Sequence, residues 1–294
     1  MVDRGETQDW FSSAEVCIEA AVAGVALLLF VIHSVTARRP FFSPEIFTDR
    51  NMLTGMLFGM LTSVMLFAGG ALLPPMMETL LGYPVMTTGL VMAPRGIASV
   101  VSMMIVGQLI SRVDPRALVE VGLGLSALSL QMMSRFTLQM DYGLLIWSGV
   151  VQGAGMSMLF VPISTMAFAT LPGRLRTEGS SVYNLVRSMG ASGGISLTQV
   201  LLSRNANAVH ARLTENLRPD NPLAQAPYLH APFSLTDPAG VAALNAEVTR
   251  QSMMVSYGDI FLMMSFLALI YFPALALLRK PAHMKSDDTT LSAH

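Results

Sequence analysis

NMLTGMLFGMLTSVMLFAGGALLPPMM, at residues 51–77, is an apolar run that contains no charged side chain. Two other charge-free runs cover residues 142–173 and 260–278. Each run is longer than the roughly eighteen apolar residues that mark a membrane-spanning helix. A helix satisfies its own backbone hydrogen bonds inside lipid, so the sequence predicts an all-α polytopic membrane protein.

The composition supports this class and argues against several others. Hydrophobic residues make up 52% of the chain and charged residues 13%, about half the charged fraction usual in soluble domains. The net charge of −1 leaves no basic surface for a nucleic acid. Cys17 is the single cysteine, which excludes an internal disulfide and a cysteine metal cluster. No HExxH, GxSxG or phosphate-binding loop occurs, so we predict no enzyme, catalytic residue, cofactor or metal site.

Four more stretches reach spanning length with a single ionisable interruption, at Glu19, Arg95, Glu120 or Arg187. The sequence therefore predicts seven transmembrane helices. We place them at residues 15–35, 51–76, 86–110, 117–136, 142–168, 179–203 and 257–279.

The cations predict the orientation of these spans, because basic residues concentrate in cytoplasmic loops. Every second connection is rich in arginine and lysine, whereas the other loops contain almost no basic residues. The chain should therefore begin outside the cell and end in the cytoplasm. The residues on the cytoplasmic side are Arg38, Arg39, Arg50, Arg112, Arg116, Arg174, Arg176, Arg279, Lys280 and Lys285.

Two connections stand out. Residues 38–51 read RRPFFSPEIFTDRN, where Ser43 is placed to cap a helix that starts at Pro44, and the aromatic residues predict a short interfacial connector. Residues 204–254 form the long external loop, which is polar and contains five prolines. We predict that this loop is irregular, with a short helix near residues 239–251.

Charged side chains inside the bilayer are the first candidates for a functional site. Arg95 lies roughly 14 Å from the outer end of its span, by the helical rise. It faces a water-filled central cavity, or it packs against carbonyls freed by a kink at Pro94. Arg187 lies about two turns from the cytoplasmic end of its span. It snorkels to the headgroups, or it joins Asn184 on one helix face to meet a partner helix or a ligand.

The carboxylates point away from proton coupling within this chain. Glu19, Glu78 and Asp259 fall within about a turn of the outer boundary, and Glu120 within a turn of the inner one. The histidines lie in loops, in tails or at a span end. A proton-coupled transporter usually needs a titratable group within the membrane, and we predict none here.

Span five contains QGAGMSMLFVP at residues 152–162, with Gln152 polar at depth and Met156 apolar and adaptable. Such a surface suits lipophilic ligands, but methionine is also ordinary membrane filler, and both interpretations stand. Glycines four residues apart let helices approach closely, and we predict that they pack one bundle rather than a dimer. These pairs are Gly55–Gly59, Gly149–Gly153 and Gly190–Gly194.

Six blocks resemble the major facilitator superfamily, and most closely its fourteen-helix drug:proton antiporters of the multidrug-resistance protein B type. The resemblance runs from about residue 3 to residue 281. The blocks are DRGETQDWFSS (3–13), PFFSPEIFTDRN (40–51), GLVMAPRGIASVVSMMIVGQLISRVDPR (89–116), QGAGMSMLFVPISTMAFATLP (152–172), SSVYNLVRSMGASGGISL (180–197) and TENLRPDNPLAQA (214–226).

The resemblance implies that the chain corresponds to helices eight to fourteen of that family. Residues 1–50 would form an external segment, an extra central helix and the cytoplasmic connector. Residues 51–281 would form the C-terminal six-helix bundle, and residues 282–294 a cytoplasmic tail. The loop after span three looks like a degenerate copy of the superfamily's gating motif, in which an arginine and an aspartate make a charge contact with a neighbouring helix end. The motif places Gly107, Arg112, Asp114 and Arg116 in this loop.

The function so implied is that of the C-terminal portion of a proton-driven multidrug efflux permease in the bacterial inner membrane, which works by alternating access. Its partners would be a lipophilic small molecule, membrane lipid and an N-terminal bundle. A periplasmic adaptor protein is a further candidate partner. We do not expect transport by this chain alone. Two alternatives stay open: a non-transporting or split-half component, and an exporter of siderophores or other small molecules. The substrate path would contain Arg95, Gln152, Met156, Asn184 and Arg187.

Overall fold

A computed structural model describes residues 14–36, 42–215, 233 and 237–274. These residues form helices and contain no β-strand. A π-helical turn follows α3 and a 3-10 turn precedes α7. The predicted external segment before residue 14 and the predicted tail 282–294 lie outside the described residues. The helices are α1 (Ala14–Thr36), α2 (Glu45–Thr48), α3 (Arg50–Pro75), α4 (Val85–Leu109), α5 (Pro115–Met133), α6 (Tyr142–Ala169), α7 (Arg176–Glu215) and α8 (Pro238–Ala274).

Helices lie at all seven positions where the sequence predicts a membrane span. Within the described residues, four of them are long and apolar enough to cross a bilayer: α3 with its π turn, α4, α6 and α8. The other three, α1, α5 and α7, remain predicted spans.

The six helices from α3 onward pack into one bundle with α6 at its centre. This helix contacts α3, α4 and α5, while α7 packs on α3 and α8, and α8 also packs on α5. The largest apolar core draws on α3, α5, α6 and α8 and is rich in methionine and leucine. Fully buried members include Met65, Leu130, Leu159 and Phe261.

Glycines mark the closest approaches between helices. A Cβ atom added at Gly190 would lie 2.5 Å from the carbonyl oxygen of Met60, so α7 and α3 meet backbone to backbone there. The added Cβ at Gly153 would collide with the backbone carbonyl oxygen of Arg95, which places α6 directly on α4. The predicted role of the glycine pairs within one bundle is confirmed, since each pair contributes such a contact.

Serine hydroxyls add hydrogen bonds between the helices. Ser129 Oγ donates to the Ser148 carbonyl oxygen over 2.8 Å, joining α5 to α6. Ser265 Oγ donates to the Ala127 carbonyl oxygen over 3.0 Å, joining α8 to α5. Small polar side chains of this kind hold helices together where the hydrophobic effect cannot discriminate between protein and lipid.

The connector before α3 packs on the protein, and its interfacial location remains a prediction. Ile46 is fully buried in a second core with Met52, Leu171 and Leu175. Phe47, the other apolar residue of α2, is exposed. The second core forms because the chain between α6 and α7 returns to the same end of the bundle. The spacing of residues along the sequence could not show that the connector and the chain between α6 and α7 are neighbours.

The predicted capping role of Ser43 is wrong. Its hydroxyl donates to Glu178 Oε2 over 2.9 Å and its backbone N–H donates to the same oxygen over 3.2 Å. The short helix α2 instead follows Pro44 without a side-chain cap. Next to it, Arg174 and Glu45 form an exposed ion pair at 2.6 Å. The Ser43 hydroxyl binds a carboxylate from a distant part of the chain and therefore does not cap the helix.

The prediction that residues 204–254 form an irregular loop is also wrong at both ends of that stretch. Helix α7 continues to Glu215 and α8 starts at Pro238, so the predicted short helix near 239–251 is the beginning of α8. With 40 residues, α7 is about 60 Å long, twice the roughly 30 Å hydrocarbon core. Asn205 Nδ2 donates to Asp259 Oδ2 over 2.8 Å, so the two helices support each other. The prolines that suggested a loop, Pro219, Pro222, Pro227 and Pro232, lie outside the described residues.

Candidate functional site

A cavity of about 260 Å³ opens between α3, α4, α6 and α7. Its walls are mostly apolar, and one arginine and several hydroxyls interrupt them. A second cavity, of about 440 Å³, adjoins it along α7 and shares Phe67 and Arg187 with it. The first cavity is lined by Thr62, Ser63, Leu66, Phe67, Ser99, Met103, Met156, Ser157, Phe160 and Arg187.

Arg187 is the cationic group of both cavities. Its guanidinium carbon lies 4.7 Å from the centre of the Phe160 ring on α6, which is cation–π geometry. The side chain is half-buried, and within the described residues no carboxylate pairs with it. The structure therefore shows a contact that neither the snorkelling interpretation nor the ligand interpretation of Arg187 included, namely the face of an aromatic ring on the neighbouring helix.

The hydroxyls on the α4–α6 wall are used within the protein. Ser99 Oγ and Ser157 Oγ lie 2.8 Å apart, and Ser157 Oγ donates to the Ser99 carbonyl oxygen over 2.9 Å. One turn further along α4, Ser102 Oγ donates to the Ala154 carbonyl oxygen over 3.0 Å. These bonds fix α4 against α6, so the wall that carries Met156 is held rigidly.

Arg95 lies behind the cavity wall. Its Nη2 donates to the Leu66 carbonyl oxygen on α3 at 3.5 Å, the weak limit of a hydrogen bond. Leu66 itself lines the cavity, whereas Arg95 does not. The acceptor belongs to a neighbouring helix and not to the carbonyls near Pro94. Both sequence-based interpretations of Arg95 therefore remain predictions.

Gln152 is completely buried between α6 and α3, and neither its Oε1 nor its Nε2 has a hydrogen-bond partner within the described residues. Gly69 leaves the space for it, since a Cβ there would lie 3.1 Å from Nε2. Asn184 is exposed one turn before Arg187, and its Nδ2 lies 3.5 Å from Ser180 Oγ. The structure thus brings Met156 and Arg187 to one cavity, and places neither Gln152 nor Asn184 among its lining residues.

Sequence reasoning did not single out the aromatic and hydroxyl members of the cavity, notably Phe67, Phe160 and Ser157. A partial signal existed for Phe160, because it lies four residues after Met156 and therefore on the same helix face. Its partner Arg187 is on another helix. No spacing within either helix could show that contact.

The four residues of the predicted gating motif lie around the connection between α4 and α5: Gly107 is in α4, Arg112 and Asp114 are in the connection, and Arg116 is in the first turn of α5. Gly107 and Arg112 are exposed. Asp114 Oδ1 accepts the backbone N–H of Arg116 over 3.2 Å and so caps α5. Arg116 Nε is buried without a hydrogen-bond partner in the described chain. The charge contact with a neighbouring helix end, which the family resemblance implies, stays a prediction.

Several described carboxylates serve helix ends. Asp49 Oδ1 accepts the backbone N–H of Met52 over 2.8 Å at the start of α3. Asp141 Oδ1 accepts that of Leu144 over 3.4 Å at the start of α6. No carboxylate lines either cavity among the described residues. That part of the chain also holds no group of three or more His, Cys, Asp or Glu side chains that could bind a metal ion.

Residues 10–195 match the sequence model of the Major Facilitator Superfamily. The Multidrug export protein EmrB of Escherichia coli K12 is 30% identical over 272 residues, which are 92% of this chain and 53% of that protein. The probable multidrug resistance protein EmrY of the same strain is 29% identical over 285 residues, 96% of this chain and 55% of that protein.

The fold is also similar to that of a solved transporter structure. That transporter is a bacterial homologue of the human lysosomal transporter Spinster in an inward-facing and occupied conformation, with a TM-score of 0.52 and 22% identity. The alignment covers 91% of this chain and 59% of that one. The chain thus spans about half the length of the curated relatives that it matches.

These comparisons confirm the resemblance to multidrug transporters and the all-α membrane fold. The relatives are transporters and not enzymes, as the sequence predicts. Residues 10–195 cover well over half of the 294 residues, and the fold agrees independently. The chain belongs to the Major Facilitator Superfamily.

Proposed function

We propose that the chain forms the C-terminal, substrate-facing half of a proton-driven multidrug efflux permease in the bacterial inner membrane. The observation that carries this proposal is the cavity between α3, α4, α6 and α7. The bundle that encloses the cavity has the fold of the superfamily. The cavity walls combine methionine and phenylalanine with Arg187, which pairs with no described carboxylate. The relatives that the chain matches along most of its length are named for multidrug export or resistance.

The composition of the cavity suits ligands of varied shape. Met103 and Met156 have flexible, polarizable side chains that adapt to different apolar surfaces. Phe67 is exposed at the junction of the two cavities, where a second bundle would close over the ligand. In alternating access, two bundles rock about a central site that lies between them. This bundle would supply one wall of that site.

Energy for export would enter through another part of the transporter. A proton that moves down the membrane potential supplies about 2.3 kcal/mol per 100 mV, and coupling requires a titrating group inside the membrane. Asp259 lies within α8, where it is exposed and accepts a hydrogen bond from Asn205, and no described carboxylate lines either cavity. We therefore place the coupling group in an N-terminal bundle, and we expect this chain by itself not to transport.

The experiment compares three strains that lack their own efflux pumps. One expresses this chain, one expresses the N-terminal half of the EmrB relative, and one expresses both. Ethidium accumulation should be unchanged by either half and lowered by the pair. A protonophore should abolish the decrease. Energy-dependent export by this chain alone would refute its assignment as a half, and failure of the pair to form a complex on co-purification would refute the partnership.

The orientation and the remaining partners belong to the same proposal. Arg112 and Arg174 lie in connections at one end of the bundle, so that end should face the cytoplasm. The extensions of α7 and α8 would then project outside, where a periplasmic adaptor protein could contact them. Reporter fusions after Ser111 and after Glu215 should locate these positions on opposite sides of the membrane. The same location for both would overturn the orientation.

A further inference from the structure

We infer that the cavity selects lipophilic anions, molecules with an apolar body and one carboxylate or similar group. This inference rests on the proposed function of the cavity as a substrate site, and it adds the chemical class of the substrate. Arg187 belongs to both adjoining cavities, and Arg95 lies behind the same wall at the carbonyl of Leu66.

The positive charge at this site lacks a counter-charge in the described chain. Neither Arg95 nor Arg187 forms an ion pair with any described carboxylate. Glu178, the acidic residue nearest to Arg187 along α7, instead accepts hydrogen bonds from Ser43. A cation in a medium of low dielectric constant, with no carboxylate beside it, attracts anions strongly and repels cations.

The guanidinium group of Arg187 also keeps its hydrogen-bond donors available. It lies against the Phe160 ring, but it donates no hydrogen bond to any described residue. A guanidinium has five N–H donors in a planar arrangement that matches the two oxygens of a carboxylate. Stacking on Phe160 limits its motion, so that little further ordering is needed when an anion binds.

The cavity walls define the rest of the ligand. Phe67, Met103 and Met156 offer apolar surface, and the volume of about 260 Å³ accommodates a body of one or two aromatic rings. An organic cation would find no carboxylate on these walls. The face of the Phe160 ring, which could otherwise stabilise such a cation, is already covered by Arg187.

The test measures binding of three probes with the same ring system to the whole chain in nanodiscs of zwitterionic lipid. The probes are naphthoate, naphthamide and naphthylmethylammonium, which carry a negative, a neutral and a positive group. Equilibrium dialysis against empty nanodiscs corrects for partition into lipid. We expect naphthoate to bind about tenfold more tightly than naphthamide, because charge-assisted hydrogen bonds are the stronger kind.

Three variants assign the effect to Arg187. Arg187→Gln should weaken naphthoate binding about tenfold and leave naphthamide binding within about twofold, which also shows that the cavity is intact. Arg187→Lys should keep a preference for the anion. Arg135→Gln removes one exposed arginine from the loop between α5 and α6 and should change neither affinity.

The outcomes separate this inference from the proposed function. Equal binding of the three probes, tighter binding of the ammonium probe, or an unchanged anion preference in Arg187→Gln would overturn the inference and leave the substrate cavity standing. Absence of binding by all three would overturn both. Displacement of naphthoate by added phosphatidylglycerol would support the inference and identify a lipid headgroup as the source of the anion, whereas no displacement would identify a free amphiphile.

Discussion

The guanidinium carbon of Arg187 on α7 lies 4.7 Å from the centre of the Phe160 ring on α6. This contact joins two helices that both line the candidate cavity. Because both side chains are half-buried, the pair should contribute more than a fully exposed cation–π pair does. It thus has a structural consequence that can be measured without any ligand.

A double-mutant cycle should detect this contribution. We expect Phe160→Leu and Arg187→Met to show a coupling energy of about 0.5–2 kcal/mol, because either change alone removes the whole interaction. The measurement is unfolding of the purified chain in mixed micelles, followed by circular dichroism. Phe272→Leu combined with Arg187→Met is the control, since Phe272 is partly exposed on α8 and should not couple. A coupling energy of zero at Phe160 would contradict the contact.

The approach of Gly153 to the backbone of Arg95 predicts a large effect of one methyl group. Gly153→Ala should lower the free energy of unfolding by about 1–3 kcal/mol, because α4 and α6 would have to separate. Gly124→Ala is the matched control, since a Cβ at Gly124 meets nothing within 4 Å. That change should be neutral or slightly stabilising, as alanine favours the helix. Equal effects of the two changes would show that α4 and α6 do not meet at Gly153.

The buried amide of Gln152 predicts an opposite effect on stability. Gln152→Met keeps the shape of the side chain and removes two polar atoms that have no partner in the described residues. We expect the free energy of unfolding to rise by about 1–3 kcal/mol, the usual penalty of an unsatisfied buried group. Measured unfolding in micelles checks this, with Gln131→Met on α5 as a control at a half-buried position. A decrease would mean that a bound water or a partner satisfies the amide.

The connector should depend on Ile46 far more than on its ion pair. Ile46 is fully buried, so Ile46→Ala should cost about 2–5 kcal/mol locally. Glu45→Gln should cost at most about 1 kcal/mol, because both partners of the Arg174 pair are more than half exposed. Hydrogen exchange of residues 43–52 measures local opening, and it should accelerate about tenfold or more only in Ile46→Ala. Faster exchange in Glu45→Gln than in Ile46→Ala would reverse this ranking.

Helix positions were accessible from the sequence because they depend on local properties. A run such as residues 51–77 is apolar over its whole length, so it identifies a membrane helix without reference to any neighbour. The glycine pairs likewise indicate a face of close approach from their spacing alone. The polar loop 204–254 misled the prediction because the helical ends of that stretch are stabilised by each other, as in the contact between Asn205 and Asp259.

By itself, the sequence determined that the chain is a helical membrane protein, where the apolar part of each helix lies, and which superfamily it resembles. Only the tertiary structure decided which side chains meet. It placed Arg187 on Phe160, Arg95 at the carbonyl of Leu66, and Ile46 inside a core. The physical reason is that crossing a bilayer depends on the composition of one segment. A contact between helices depends instead on which helices are neighbours and on how each is rotated about its axis, and both are settled by the packing of the whole bundle.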